Sequence, residues 1–230
     1  LLLLPAFACF LLVVPFPYHQ EIWKLARFDE LAERERAPLM AFYRKAVQRH
    51  LYVAGPGKAL LSKNPSFTPF LRTLLETFPD AKVLCCVRDP AQVVASQLSS
   101  LRPGAALFGY RIEEPRIRDR FVDMLAFYAR HALHTLPALS DSQHAFAPME
   151  ELKRDTEGFV LGIYRRFGWQ PGSGFRQELA QEASRGESYR SRHRYTLEEF
   201  GLSPTALAGR FQELNQRFGW GREDGKTPPC

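Results

Sequence analysis

Apolar positions recur with a helical period over much of the chain. Across residues 22–51, Leu39, Phe42, Tyr43, Val47 and Leu51 return at three- and four-residue spacing with charges between them, which predicts a helix. Gly55-Pro56-Gly57 is a turn that ends it. Residues 59–62 are short and apolar, predict a strand, and stop at Lys63-Asn64-Pro65. Residues 68–77 read as helix again, with Phe70, Leu71, Leu74 and Leu75 on one side, and Phe78-Pro79-Asp80 turns the chain. Residues 82–87 (KVLCCV) hold no polar residue after the lysine, which suits a central strand buried on both faces. Arg88-Asp89-Pro90 then opens a helix through Ser99, with proline at the first helical position and aspartate before it.

Strand, helix, strand, helix is the signature of parallel strands joined by a right-handed crossover, and predicts an α/β fold with a parallel sheet flanked by helices. Further along, helices are expected over 115–136 and 157–167, the second closed by Gly168, and a short strand over 143–148. Gly172, Gly174 and Gly186 punctuate a region read as rich in loops. Ser203-Pro204 starts a final helix running to about Phe218. No internal repeat or low-complexity linker interrupts the 230 residues, so a single domain is expected.

Composition narrows the class without naming it. The chain is 45% hydrophobic and 24% charged, which excludes long disordered tails and collagen-like repeats. Its net charge of +6 suits an anionic ligand but is too modest for a broad phosphate-tracking surface, so no nucleic-acid partner is expected. Four cysteines cannot staple a chain of this size, and no Cys/His spacing resembles a zinc site, so no metal is expected. The uncharged segment 1–17 carries Pro5, Pro15 and Pro17 and is slightly short for a membrane span. It is read as a buried segment, with a membrane or signal role as the alternative. The expected location is cytoplasmic, with membrane association second.

Three places carry candidate chemistry. Arg88 is the first residue past a strand end, where ligands sit in open parallel sheets, and Ser96 lies two helical turns beyond it. A guanidinium and a hydroxyl so placed can converge on one phosphate. The alternatives are an ion pair from Arg88 to Asp89 or a nearby carboxylate, and a plain helix-surface serine. Lys63 ends the other expected strand. If the two strands are neighbours, it shares a crevice with Arg88; otherwise it is a solvated lysine at a turn. The third place is 184–195 (SRGESYRSRHRY), where four arginines face one glutamate. It reads as an anion-binding loop or a solvated one, with stacking of Tyr189, His193 and Tyr195 on bases as a further possibility.

The stretch LLSKNPSFTPFLRTLLETFPDAKVLCCVRDPAQVVAS (60–96) resembles the central block of bacterial-type sulfotransferases. It has their Lys-Asn-Pro turn, a helix, Phe-Pro-Asp-Ala, an apolar strand, Arg-Asp-Pro, and a serine eight residues after the arginine. LLLLPAFACFLLVVPFPY, FAPMEELKRDTEGFVLGIYRRFGW and YRSRHRYTLEEFGLS extend the likeness more loosely over nearly the whole chain. The resemblance implies a P-loop-type α/β fold and transfer of a sulfuryl group from 3′-phosphoadenosine 5′-phosphosulfate to a hydroxyl or amine, with no metal. It divides the chain into an acceptor-side helical region (1–57), a nucleotide-binding core (58–100) and a basic closing loop (184–195). Arg88 and Ser96 match the positions that hold the 3′-phosphate, Arg190, Arg192 and His193 the loop over the nucleotide, and Lys63 the catalytic lysine facing the transferred group.

Two departures stand out. No Gly/Ser/Thr-rich phosphosulfate loop precedes Leu60, and the first residue is leucine, so the chain is expected to be N-terminally truncated. Phe67 stands near where a histidine is often seen, which leaves the base unassigned, with His19 and Glu21 as weak candidates. The acceptor is expected to be a small molecule, a carbohydrate or a lipid. A degenerate relative that binds a nucleotide or a partner without turnover is the alternative.

Overall fold

The computed structural model describes residues 10–188 and 195–221. It divides into two compact units, each assembled from separate stretches of sequence: 1–81 with 101–120, and 82–100 with 121–230.

The first unit is helical. A 3-10 turn at Phe10–Val13 leads to α1 (Gln20–Lys24), a second 3-10 segment at Leu25–Glu30, and the long α2 (Glu33–Ala54). Another 3-10 segment, Pro65–Phe70, runs into α3 (Leu71–Thr77). The α2 periodicity is realised in burial: Met40, Tyr43 and Val47 face a core shared with Phe28 and Phe70. Phe28 and Phe70 stack at 3.8 Å between ring centroids. Phe67 and Phe78 meet the Tyr43 ring edge-on at 5.8 and 5.9 Å.

One buried carboxylate ties this core together. Asp29 accepts the backbone N–H groups of Arg72 (2.7 Å) and Thr73 (3.0 Å), and the Thr73 hydroxyl at 2.5 Å. An anion at the first turn of a helix satisfies donors that have no partner within the helix and complements its dipole. Here it does so across more than forty residues of sequence.

The uncharged N-terminal stretch packs inward where it is described. Val13, Val14 and Pro17 are buried, although Leu11 and Phe16 remain exposed. Tyr110 donates to the Val14 carbonyl at 2.8 Å, and Trp23 donates to the Pro17 carbonyl at 2.8 Å. No helix among the described residues is long and apolar enough to cross a membrane.

The second unit holds the sheet. β1 (Val83–Val87) pairs in parallel with β2 (His144–Pro148), from Val83 opposite His144 to Val87 opposite Pro148. Between them come α4 (Pro90–Leu107) and α5 (Pro115–Thr135), and the unit boundaries fall inside both helices. After β2 come α6 (Met149–Arg154), α7 (Thr156–Arg166), α8 (Ser173–Ser188), α9 (Pro204–Ala208) and α10 (Gln212–Phe218). Arg166 ties α7 to the entry of β2, donating to the carbonyls of Asp141 (2.8 Å) and His144 (2.9 Å). Gly168 ends α7 at φ +71°, a conformation that a residue with a Cβ rarely adopts.

The parallel α/β architecture stands, but its strands are not all where the sequence pattern put them. Residues 59–62 form no strand; Leu61 is 95% exposed, while Leu60 packs against the first unit's core. A strand exists only where a neighbour takes its N–H and C=O groups, and among the described residues β1 and β2 pair only with each other. β1 is also buried on one face rather than two, since Leu84 is 43% exposed and Cys86 is exposed. The region expected to be rich in loops is largely α8. Its glycines sit near the ends, and the interior QELAQEAS consists mostly of good helix formers. The final helix is broken in two at 209–211, after the predicted start in which Ser203 caps Ala206 at 3.2 Å.

Replacing Asp29 by alanine leaves two helix N–H groups and one hydroxyl without their acceptor. Urea unfolding is expected to register a loss of about 3 kcal/mol. Asp29→Asn keeps an acceptor oxygen and is expected to fall between the alanine variant and the parent.

Candidate functional site

The ladder sets the strand exit at Val87, and Asp89 sets the helix start just beyond it. The Asp89 side chain accepts the Ala91 N–H at 2.9 Å, and its carbonyl accepts from Gln92 and Val93 at 3.0 Å each. With Pro90 at the first helical position, this is the capped start that the sequence pattern predicts.

The cap has a consequence for Arg88. Asp89 is engaged with the helix backbone and forms no ion pair with its neighbour, so that alternative does not hold. Arg88 is half-buried and has neither a carboxylate nor a hydrogen-bond partner among the described residues. Ser96 lies on α4 seven residues after Asp89, nearly two full turns, and therefore on the side of the helix nearest the strand exit. Val94, Ala95 and Leu98 take the buried face. Ser96 is half-buried and its hydroxyl is likewise without a partner among the described residues. The β1–α4 junction thus holds, within one compact unit, a guanidinium and a hydroxyl that have no partner among the described residues, a donor set that fits a phosphate monoester.

Lys63 belongs to the first unit. It is exposed in the segment between α2 and the 3-10 turn, with no partner among the described residues. Asn64 caps that turn, accepting from the Ser66 N–H at 3.0 Å. The expectation that Lys63 closes a strand fails with the strand itself. Arg190, Arg192 and His193 lie outside the described residues. His19 precedes α1 and is exposed, and Glu21 is paired with Lys24 at 2.8 Å. Among the described residues, no group of three His, Cys, Asp or Glu side chains is arranged to hold a metal.

Sequence reasoning missed Asp29. A lone aspartate between apolar residues is its signal, but nothing local to it announces the helix it serves. Reasoning also missed the groove along α2, although the cations Arg36, Arg44 and Lys45 at helical spacing are a signal for it.

Comparison with known proteins fits this architecture. The Sulfotransferase family profile matches residues 16–171, so the chain belongs to that family. The chain is similar in structure to sulfotransferase STF1 from Mycobacterium tuberculosis H37Rv, with a TM-score of 0.68 and 22% identity over 85% of this chain and 49% of that one. It is also similar to sulfotransferase STF9 from Mycobacterium avium, with a TM-score of 0.66 and 22% identity over 83% of this chain and 48% of that one. At that identity the likeness concerns the fold, and the chain spans about half the length of each. No curated protein matches the sequence at a significant level.

The strand leading into the site carries two free thiols, Cys85 and Cys86. Burial pushes the Cys85 thiol up to about 12, and the neighbouring Cys86 adds to the shift. In the unfolded chain a thiol titrates near pH ~8.5. Between those values the unfolded state has lost a proton that the folded state keeps, so stability falls as pH rises. From about pH 8.5 to pH 10 the expected loss is up to about 2 kcal/mol. Cys85→Ala is expected to flatten that slope in urea midpoints taken across this range.

Proposed function

We propose that this chain acts in a sulfotransferase, moving a sulfuryl group from 3′-phosphoadenosine 5′-phosphosulfate to a hydroxyl or amine of a small-molecule, carbohydrate or lipid acceptor. The observation that carries the reading is Arg88: half-buried at a strand exit, with its adjacent carboxylate engaged in capping α4. A guanidinium so held lacks a counter-charge among the described residues, and an anion would supply one. Membership of the Sulfotransferase family supports a phosphorylated nucleotide as that anion.

In this reading Arg88 makes a bidentate contact with the 3′-phosphate and Ser96 donates its hydroxyl to the same group. Each charge-assisted bond contributes about 1.5–3 kcal/mol. Binding at the ribose phosphate fixes the nucleotide at a point remote from the reacting sulfur, so the donor is oriented before chemistry begins. The acceptor oxygen or nitrogen attacks sulfur in line. Its bond to sulfur forms as the bond from sulfur to the bridging phosphate oxygen breaks, and adenosine 3′,5′-bisphosphate leaves. The acceptor proton passes to a base, for which no described residue is assigned. The likeness of residues 60–96 to the family's central block, rather than any placement beside Arg88, is what supports Lys63 as the group that stabilises charge on the departing phosphate oxygen.

Calorimetric titration with adenosine 3′,5′-bisphosphate tests the site. Arg88→Ala is expected to weaken binding at least about tenfold, and Ser96→Ala by less. Equal affinity in Arg88→Ala and the parent removes the assignment. In a sulfate-transfer assay, Lys63→Ala is expected to lower kcat about a hundredfold or more with bisphosphate affinity little changed.

A further inference from the structure

A groove of about 800 Å³ runs along α2 beside α3 in the first unit. The α2 wall presents Arg36, Ala37, Ala41, Arg44, Lys45 and Gln48, with Met40 among the lining residues, and α3 contributes Thr73 and Thr77. Glu33 and Glu76 are the acids that line it. From Glu33 to Gln48 it runs along the helix for about 22 Å, so it suits an extended ligand.

Between Arg36 and Leu75 the chain carries seven lysines and arginines and no aspartate or glutamate, and three of the seven, Arg36, Arg44 and Lys45, line the groove. Arg36 is already engaged, donating to the Thr73 hydroxyl and lying 3.7 Å from Glu76, while its buried Nε has no partner. Arg44 and Lys45 are exposed and have neither an ion-pair nor a hydrogen-bond partner among the described residues. Beside Glu33 and Glu76, the groove therefore offers two cations without an ion-pair partner among the described residues, the Gln48 amide, and the Thr77 hydroxyl, which donates to the Thr73 carbonyl at 2.7 Å and can still accept.

The lining also says what does not fit. It has no aromatic face on which bases could stack, which disfavours single-stranded nucleic acid. Its apolar lining is Ala37, Met40 and Ala41, with no large aromatic or leucine side chain to form a pocket for a peptide's anchor residues. Small alanines, cations, an amide and a hydroxyl suit a polymer that is itself rich in hydroxyls and acids. We propose that this groove binds an acidic oligosaccharide, its carboxylate or sulfate groups held by Arg44 and Lys45 and its hydroxyls by Gln48 and Thr77. The assignment stands apart from the transferase reading, because the groove and Arg88 are separate sets of residues.

The test is calorimetry of the whole protein with a heparin-derived hexasaccharide and with neutral maltohexaose. The sulfated sugar is expected to bind, and to bind more weakly as salt rises; the neutral sugar is not. Arg44→Glu with Lys45→Glu is expected to weaken binding at least about tenfold, the effect of losing two charge-assisted contacts. Arg49→Glu with Lys58→Glu makes the same charge change outside the groove and is expected to weaken binding far less. All four side chains are exposed, and circular dichroism checks that both variants fold. Equal losses in the two pairs would overturn the groove in favour of general attraction. No binding, equal binding of maltohexaose, or capture by phosphatidylglycerol vesicles in place of the hexasaccharide would also overturn it. Loss of bisphosphate binding in Arg88→Ala with hexasaccharide affinity intact would separate this site from the nucleotide site.

Discussion

A parallel ladder of five residue pairs decides where the second unit turns from strand to helix. Its last pair joins Val87 to Pro148, and two residues later Asp89 caps α4. Ladder and cap together fix the backbone on both sides of Arg88, so its position comes from main-chain hydrogen bonds rather than from contacts of its own side chain. Among the described residues no carboxylate pairs with this half-buried cation. The same arrangement leaves Ser96 on the near side of a helix whose opposite face is packed shut by Val94 and Leu98.

The first unit solves a different problem. Its helices are short apart from α2, and short helices gain little from propensity alone. The Phe28–Phe70 stack and the Asp29 carboxylate join a 3-10 segment to the start of α3. Apolar contact supplies most of the attraction and the carboxylate supplies the direction. Thr73 extends this polar link outward to Arg36, so the floor of the α2 groove is tied to the core through a chain of hydrogen bonds.

Legibility in the sequence tracked the range of the interaction concerned. The α2 periodicity, the Asp89-Pro90 start, the Ser203 cap and the Gly168 stop were all readable, because each depends on residues within a turn or two. The strands at 83–87 and 144–148 were both readable, but their pairing with each other was not: an apolar run states that a segment seeks cover and does not state from where. For the same reason residues 59–62 read as a strand when no neighbour pairs with them. α8 was hidden by its glycines, which weaken a helix least near its ends, where these lie. That Arg88 follows the strand and Ser96 lies on the next helix was readable from the sequence pattern. The freedom of Arg88 was not, since it depends on which group Asp89 chooses to bind.

β1 and β2 are joined in register at positions about sixty residues apart. During synthesis at roughly 5–20 residues per second, β1 therefore waits several seconds after leaving the ribosome before its partner exists. In that interval Val83, Leu84 and Val87 are apolar and unpaired, and the main-chain groups that will form the ladder are open to other chains. The nascent protein thus passes through a stage at which one apolar strand is already made and the strand that protects it is not.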